Sequence, residues 1–183
     1  MEKLDIYLNA FSPILLDEME KVKLMDRQDT KFAFRIEQLT VLLEKLSSHY
    51  RILEINNKRS QSYLSTYFDT ESFKFYLDHH NGRVNRHKVR LRKYVESNLH
   101  FLEVKRKNNK NKTRKRRIEI ISDDFNRSFL SDESLKFIND KMKQNPGKLY
   151  SQFTGGYTRI TLIGNDLTER VTIDLGLFYK NEN

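Results

Sequence analysis

Between Arg83 and Arg117 the chain carries fifteen Lys or Arg against two acids, Glu96 and Glu103. The stretch is therefore +13, while the rest, with 19 basic and 23 acidic residues, is −4; together they give the net charge of +9. These charges alternate with aliphatic residues, and alternation of period two belongs to β-strands, whose side chains point to opposite faces in turn. Lys88, Arg90 and Arg92 share one face against Val89 and Leu91. Phe101, Glu103, Lys105 and Lys107 stand against Leu102, Val104 and Arg106; Lys115, Arg117 and Glu119 stand against Ile118 and Ile120. The short polar links Glu96-Ser97-Asn98 and Asn108 to Lys112 suit hairpin turns. Three successive strands are expected, at about His87–Val95, Leu99–Lys107 and Thr113–Ile121.

Two arrangements explain one charged and one aliphatic face. An ordinary antiparallel sheet solvates the first and packs the second. Alternatively the sheet curls so that the charges line an interior, where like charges repel unless a polyanion fills the space. A basic concentration of this kind points to nucleic acid, anionic lipid or a phosphate-rich small molecule. Lys110 and Lys112 read as a hairpin tip in water. Glu103, a single carboxylate among cations, is a candidate for holding a divalent metal or for pairing with a neighbouring Arg.

The remainder of the 183 residues reads as strands with inserted helices. Helices are expected over 7–20, 35–48, after Asp69-Thr70-Glu71-Ser72, and over about Asp132–Lys143 before Asn145-Pro146-Gly147. Strands are expected at Met25–Phe34, Tyr50–Ile55, Tyr63–Phe68, Tyr157–Ile163 and Arg170–Leu175, with Arg170, Thr172 and Asp174 on one face of the last and Asp174 placed to orient Arg170 or Thr172. No repeat or linker is visible, so residues 1–183 read as a single domain of α+β class rather than an alternating βαβ chain.

Composition narrows the function classes. Without Cys there is no disulfide framework, Cys-based zinc site or thiol nucleophile. The five His show no zinc-ligand spacing. Apolar runs such as Ile14-Leu15-Leu16 fall far short of the roughly 20 residues a membrane helix requires. The start, Met1-Glu2-Lys3-Leu4-Asp5, has no signal-peptide pattern, so a cytoplasmic location is expected. Neither an RNP-like aromatic pattern nor a helix-turn-helix accompanies the basic strands, which disfavours nucleic acid as the partner.

Seven short motifs occur in order: Met25-Asp26-Arg27-Gln28-Asp29-Thr30-Lys31-Phe32, Ser65-Thr66-Tyr67-Phe68-Asp69-Thr70, Val89-Arg90-Leu91-Arg92-Lys93-Tyr94, Phe101-Leu102-Glu103-Val104-Lys105-Arg106-Lys107, Lys115-Arg116-Arg117, Tyr157-Thr158-Arg159 and Arg170-Val171-Thr172-Ile173-Asp174. As a set covering about 25 to 175, they resemble the VTC domain, the polyphosphate polymerase domain of the vacuolar transporter chaperone family and its bacterial relatives. The resemblance implies the triphosphate tunnel fold, an antiparallel β-barrel with helices packed outside. It implies transfer of the terminal phosphate of ATP onto polyphosphate, with Mn2+ or Mg2+, and leaves room for a membrane partner protein. Other members of the wider superfamily hydrolyse triphosphates or cyclise ATP.

Carried over position by position, the resemblance makes Lys31, Arg90, Arg92, Lys105, Lys115, Arg117 and Arg159 phosphate-gripping residues. It sets Arg27 near the first strand, Arg170 near the last, and Glu103 on the same face as Lys105 as the metal candidate. Arg27-x-Asp29-x-Lys31 replaces the Glu-x-Glu-x-Lys common in the superfamily, which favours the polymerase branch over triphosphatases and cyclases. The family also supplies a later strand with a metal-binding Glu and a final Ser-Lys-Tyr strand. Neither is matched before Asn183, so a C-terminally truncated domain is expected, with a phosphate-binding module as the alternative to an enzyme.

Overall fold

The computed structural model describes residues 2–21, 29–109, 113–121, 130–143 and 145–181. Arg27, Lys110 and Lys112 lie outside the described residues, as do positions 25–28 of the first expected strand. The elements are α1 (Glu2–Asn9), β1 (Ser12–Leu15), α2 (Leu16–Lys21), a 3-10 turn (Ile36–Gln38), α3 (Leu39–Leu46), β2 (Tyr50–Glu54), β3 (Gln61–Asp69), α4 (Lys74–His80), β4 (Arg86–Tyr94), β5 (Leu99–Lys107), β6 (Thr113–Glu119), α5 (Asp132–Met142), β7 (Tyr150–Gly164) and β8 (Arg170–Asn181). The class is α+β, as the sequence pattern implied.

The chain divides into two compact units, Met1–Gln61 with Thr158–Leu175, and Ser62–Tyr157 with Gly176–Asn183. The first unit holds β1, β2, and the parts of β7 and β8 that fall within Thr158–Leu175. Strand β1 pairs parallel with β2, and β2 pairs antiparallel with β7. Helices α1 and α3 bury Leu8, Leu39 and Leu43 against Ile52, Ile160, Leu162 and Ile173. Here the single helix expected over 7–20 is corrected. Pro13 sits in β1, where it faces Ile52 of β2, and Arg51 donates to its carbonyl at 2.9 Å. Proline lacks the N–H a helix interior needs but is tolerated in a short terminal strand of a sheet. The described part of the strand expected at Met25–Phe34 is also corrected: residues 29–35 have no regular structure, and Phe32 is 86% exposed. Alternation without a hydrogen-bonding neighbour does not suffice to make a strand.

The second unit is built on β3, β4, β5 and β6, joined antiparallel in that order. Its register lays out both faces. On one, Val89 and Leu91 of β4, Leu102 and Val104 of β5 and Ile118 of β6 pack with Phe68, Phe75, Leu130, Ile138 and Met142. Helix α5 lies on this side because Leu135, Ile138 and Met142 recur at helical spacing. Its start is capped by Ser131, whose hydroxyl accepts from the Ser134 amide at 3.3 Å, with Asp132 and Glu133 in the first turn. Helix α4 is fixed by Asp69: one carboxylate oxygen accepts from the Phe75 amide and the other from Tyr76, both at 2.8 Å. The helices thus pack on the aliphatic face and leave the charged face uncovered by them.

Both final strands run longer than expected. In β7 the Gly155-Gly156 pair continues the strand because nearby residues come too close for a side chain. A Cβ at Gly156 would stand 2.5 Å from Phe178 and 2.9 Å from the Tyr63 carbonyl oxygen. Glycine inside a strand marks such close approach.

Candidate functional site

Three cross-strand rows form the charged face of the second unit. Lys88, Lys105 and Lys115 make the first; Arg90, Glu103 and Arg117 the second; Arg92, Phe101 and Glu119 the third. Like charges set directly opposite on a sheet are destabilising. The lysine row therefore stands only if something offsets it.

Glu103 is part of that offset. It is 2% exposed, the most buried acid of the face. Its Oε2 accepts from Arg90 Nε at 2.7 Å and meets Nη2 at 2.6 Å. The ammonium of Lys115 closes on Oε1. Arg117, directly opposite Glu103 in register, does not take this place. Its guanidinium lies 4.4 Å from the centre of the Phe101 ring. The diagonal reach of long side chains across strands lets Lys115 substitute for it.

The titration of this cluster follows from its contacts. Burial alone would raise the Glu103 pKa, but the charge of Arg90 and the hydrogen bond and charge of Lys115 overcome it, and the net direction is down. For Lys115, burial is the largest influence and lowers the pKa; Arg90 and Arg92 add to this, and Glu103 opposes it only in part. Arg90 is raised despite burial, by Glu103 and Tyr67. The result is a Glu103 carboxylate held in its charged form by Arg90 and Lys115.

Aromatic residues of β3 and β7 brace the arginines. Arg90 donates to the Tyr67 hydroxyl at 3.2 Å, and Tyr67 stacks on Phe153 at 4.5 Å. Arg92, only 7% exposed, donates to Ser65 Oγ at 3.1 Å. Its guanidinium lies 5.3 Å from the Tyr63 ring centre and 5.9 Å from that of Tyr157. Guanidinium planes over aromatic faces are both held in place and weakly desolvated. Tyr67 and Tyr157 fall within the motifs and Tyr63 opens an expected strand, but sequence reasoning gives none of them a role. Their signal was the alternation Tyr63, Ser65, Tyr67, which the register sets beside Tyr94, Arg92 and Arg90.

Of the residues expected to grip phosphate, the second unit gathers Arg90, Arg92, Lys105, Lys115 and Arg117 on one face. Lys31, Arg159 and Arg170 belong to the first unit. Lys31 is exposed and outside any regular element. Arg159 makes a two-pronged pair with Asp174, Nε to Oδ1 at 2.6 Å and Nη2 to Oδ2 at 2.8 Å. Asp174 thus orients Arg159.

A divalent metal at Glu103 does not fit this arrangement. Each of its oxygens faces a cation, and among the described residues no group of three or more His, Asp or Glu is suited to hold a metal. A carboxylate ligand needs an oxygen turned to the ion and companions to complete the shell.

The VTC domain family matches residues 26–183. No curated protein matches the chain in sequence. Among solved structures, a candidate adenylate cyclase from Bacillus halodurans is similar with a TM-score of 0.49 and 11% identity, over 80% of this chain and 73% of that one. HpAC1 from Hippeastrum, a candidate adenylyl cyclase with a dominant triphosphatase activity, gives a TM-score of 0.45 and 12% identity, over 80% and 72%. Among the described residues no helix is long and apolar enough to cross a membrane.

Proposed function

Because the chain belongs to the VTC domain family, within the triphosphate tunnel superfamily, we propose that it is a polyphosphate polymerase-type phosphotransferase. In this reading the cationic face of β4, β5 and β6 holds the phosphates of ATP and of the growing chain. A terminal oxygen of polyphosphate attacks the γ-phosphorus, the bond to the β–γ bridging oxygen breaks, and ADP leaves. Water attacking the same phosphorus would give free phosphate instead, so hydrolysis is the alternative outcome on the same cations.

The carrying observation is the Arg90–Glu103–Lys115 cluster. Phosphoryl transfer asks a protein for alignment and charge neutralisation more than for covalent help. Arg90 is locked by Glu103 and Tyr67, and Arg92 by Ser65 and two rings, so neither has to be ordered when phosphate arrives. Fixed donors lose little entropy on binding. Arg90 offers a planar fork, whereas Lys105 and Lys115 act as point charges. Glu103 positions Arg90 and Lys115 and keeps the unliganded face from self-repulsion. Arg117, Lys31, Arg159, Arg170 and Arg27 join the proposal on their motifs. Superfamily enzymes generally use divalent metals; here Mg2+ or Mn2+ enters as part of the nucleotide substrate.

The test is chain growth from ATP with Mg2+ or Mn2+, with polyphosphate and free phosphate measured separately. Arg90→Ala and Arg92→Ala are each expected to lower turnover by about a hundredfold, the order seen when one transition-state donor is removed. Full activity in both would overturn the reading. Tight tripolyphosphate binding with no turnover in the parent chain would leave the binding module.

A further inference from the structure

Basic residues also occur on the other face of the same sheet. Beyond the aliphatic rows, His87 of β4 stands opposite Arg106 of β5, and Arg106 stands opposite Arg114 of β6. Arg116, opposite Val104, is the next same-face position along β6. This corner shares none of the side chains assigned above.

Two of its polar atoms are buried without a hydrogen-bond partner among the described residues, His87 Nε2 and Arg106 Nε. His87 is only 8% exposed. Its pKa is lowered, first by burial, then by the charges of Arg106 and Lys74, with Asp78 opposing them. Asp78 is itself paired with Lys74 at 2.7 Å. Buried polar atoms left unpaired are costly, and the like charges of Arg106 and Arg114 set opposite each other add to that cost. An anion with several oxygens would satisfy both, and a linear one would run along the row.

The geometry points to a second anion site on the helix-bearing face, formed by His87, Arg106, Arg114 and Arg116, that takes a segment of an oligophosphate chain. Its repeated charges match the spaced arginines, whereas a single orthophosphate meets only the His87–Arg106 corner.

The test uses the chain carrying Arg90→Ala and Arg92→Ala, which removes both arginines of β4 from the cationic face proposed above and so weakens it. Calorimetric titration with tripolyphosphate is expected to retain one site per chain. Adding Arg106→Gln and Arg114→Gln should weaken it by about tenfold or more, the order for losing a charge-assisted hydrogen bond. The histidine ring spectrum gives a second readout without those changes. One imidazole signal, absent in His87→Gln, should move on adding tripolyphosphate. Affinity unchanged in a normally melting Arg106→Gln/Arg114→Gln variant would overturn the site. So would a His87 signal that stays put, which decides the matter if that variant does not fold. Orthophosphate or sulfate binding as well at matched ionic strength would also overturn it, as would preferential binding of single-stranded RNA. Failure of the catalytic reading looks different: Arg90→Ala alone would then leave turnover intact, whatever happens at Arg106.

Discussion

The two units each hold a carboxylate clasped by an arginine, and the pairs differ in setting. Glu103 is 2% exposed, takes two contacts from Arg90 and a third from Lys115, and lies among further cations. In the Arg159–Asp174 pair the side chains are 27% and 32% exposed, with two well-formed hydrogen bonds and open access to water. Water screens the second pair, so its net contribution to stability is small. Removing one partner of the first leaves buried charge uncompensated. The same Arg–carboxylate chemistry therefore serves as an electrostatic keystone in one unit and as a local orienting contact in the other.

The largest expected effect is that of Glu103→Gln. The variant should lose about 2 kcal/mol by urea unfolding at neutral pH, because Arg90 loses both of its charge-assisted contacts and then faces Lys115 without a counter-ion. A loss no larger than that of Asp174→Asn would erase the contrast.

Next comes acidity. The folded pKa of Glu103 lies below its unfolded value, so its contribution to stability is present above the unfolded value and disappears as pH falls through the folded one. Melting temperature should drop as pH falls below about 4, the ordinary Glu value. The Glu103→Gln variant should show a flatter drop, and parallel curves for the two proteins would refute the assignment.

Arg90→Lys sharpens the comparison further. It keeps the charge but loses the fork, so turnover should fall by about tenfold with little change in melting. Unchanged turnover would mean that charge alone matters at this position. The smallest effect is expected for Asp174→Asn, at most about 1 kcal/mol by the same urea measurement. A larger value would mean that the exposed pair is coupled to packing.

Much of this was legible beforehand. Alternation in β4, β5 and β6 gave their extent, their facing and the aliphatic side on which α5 packs, because a strand's period is fixed by its backbone. The isolated acid among cations was equally visible. Other features were not. Pro13 falls early in the helix expected over 7–20, and its place in a strand is not legible because β1 is short and its partner, β2, lies some forty residues away. Residues 29–34 alternate well, yet remain without a strand. The strand expected at Tyr157–Ile163 extends back through Gly155-Gly156, where Phe178, Tyr179 and Tyr63 leave no room for a side chain.

By itself the sequence determined the family, the α+β class and the sign and location of the charge. Each follows from residue identity and order, and a two-residue period survives any tertiary arrangement. Only the tertiary structure decided which cation Glu103 holds. Register sets Arg117 opposite it, but Arg117 turns onto Phe101 and Lys115 takes the diagonal place. It also decided that His87 meets Arg106, since that pairing depends on how the β4–β5 hairpin closes rather than on either strand alone. Side-chain partnership is a competition among neighbours in space, and the chain encodes it only through the fold.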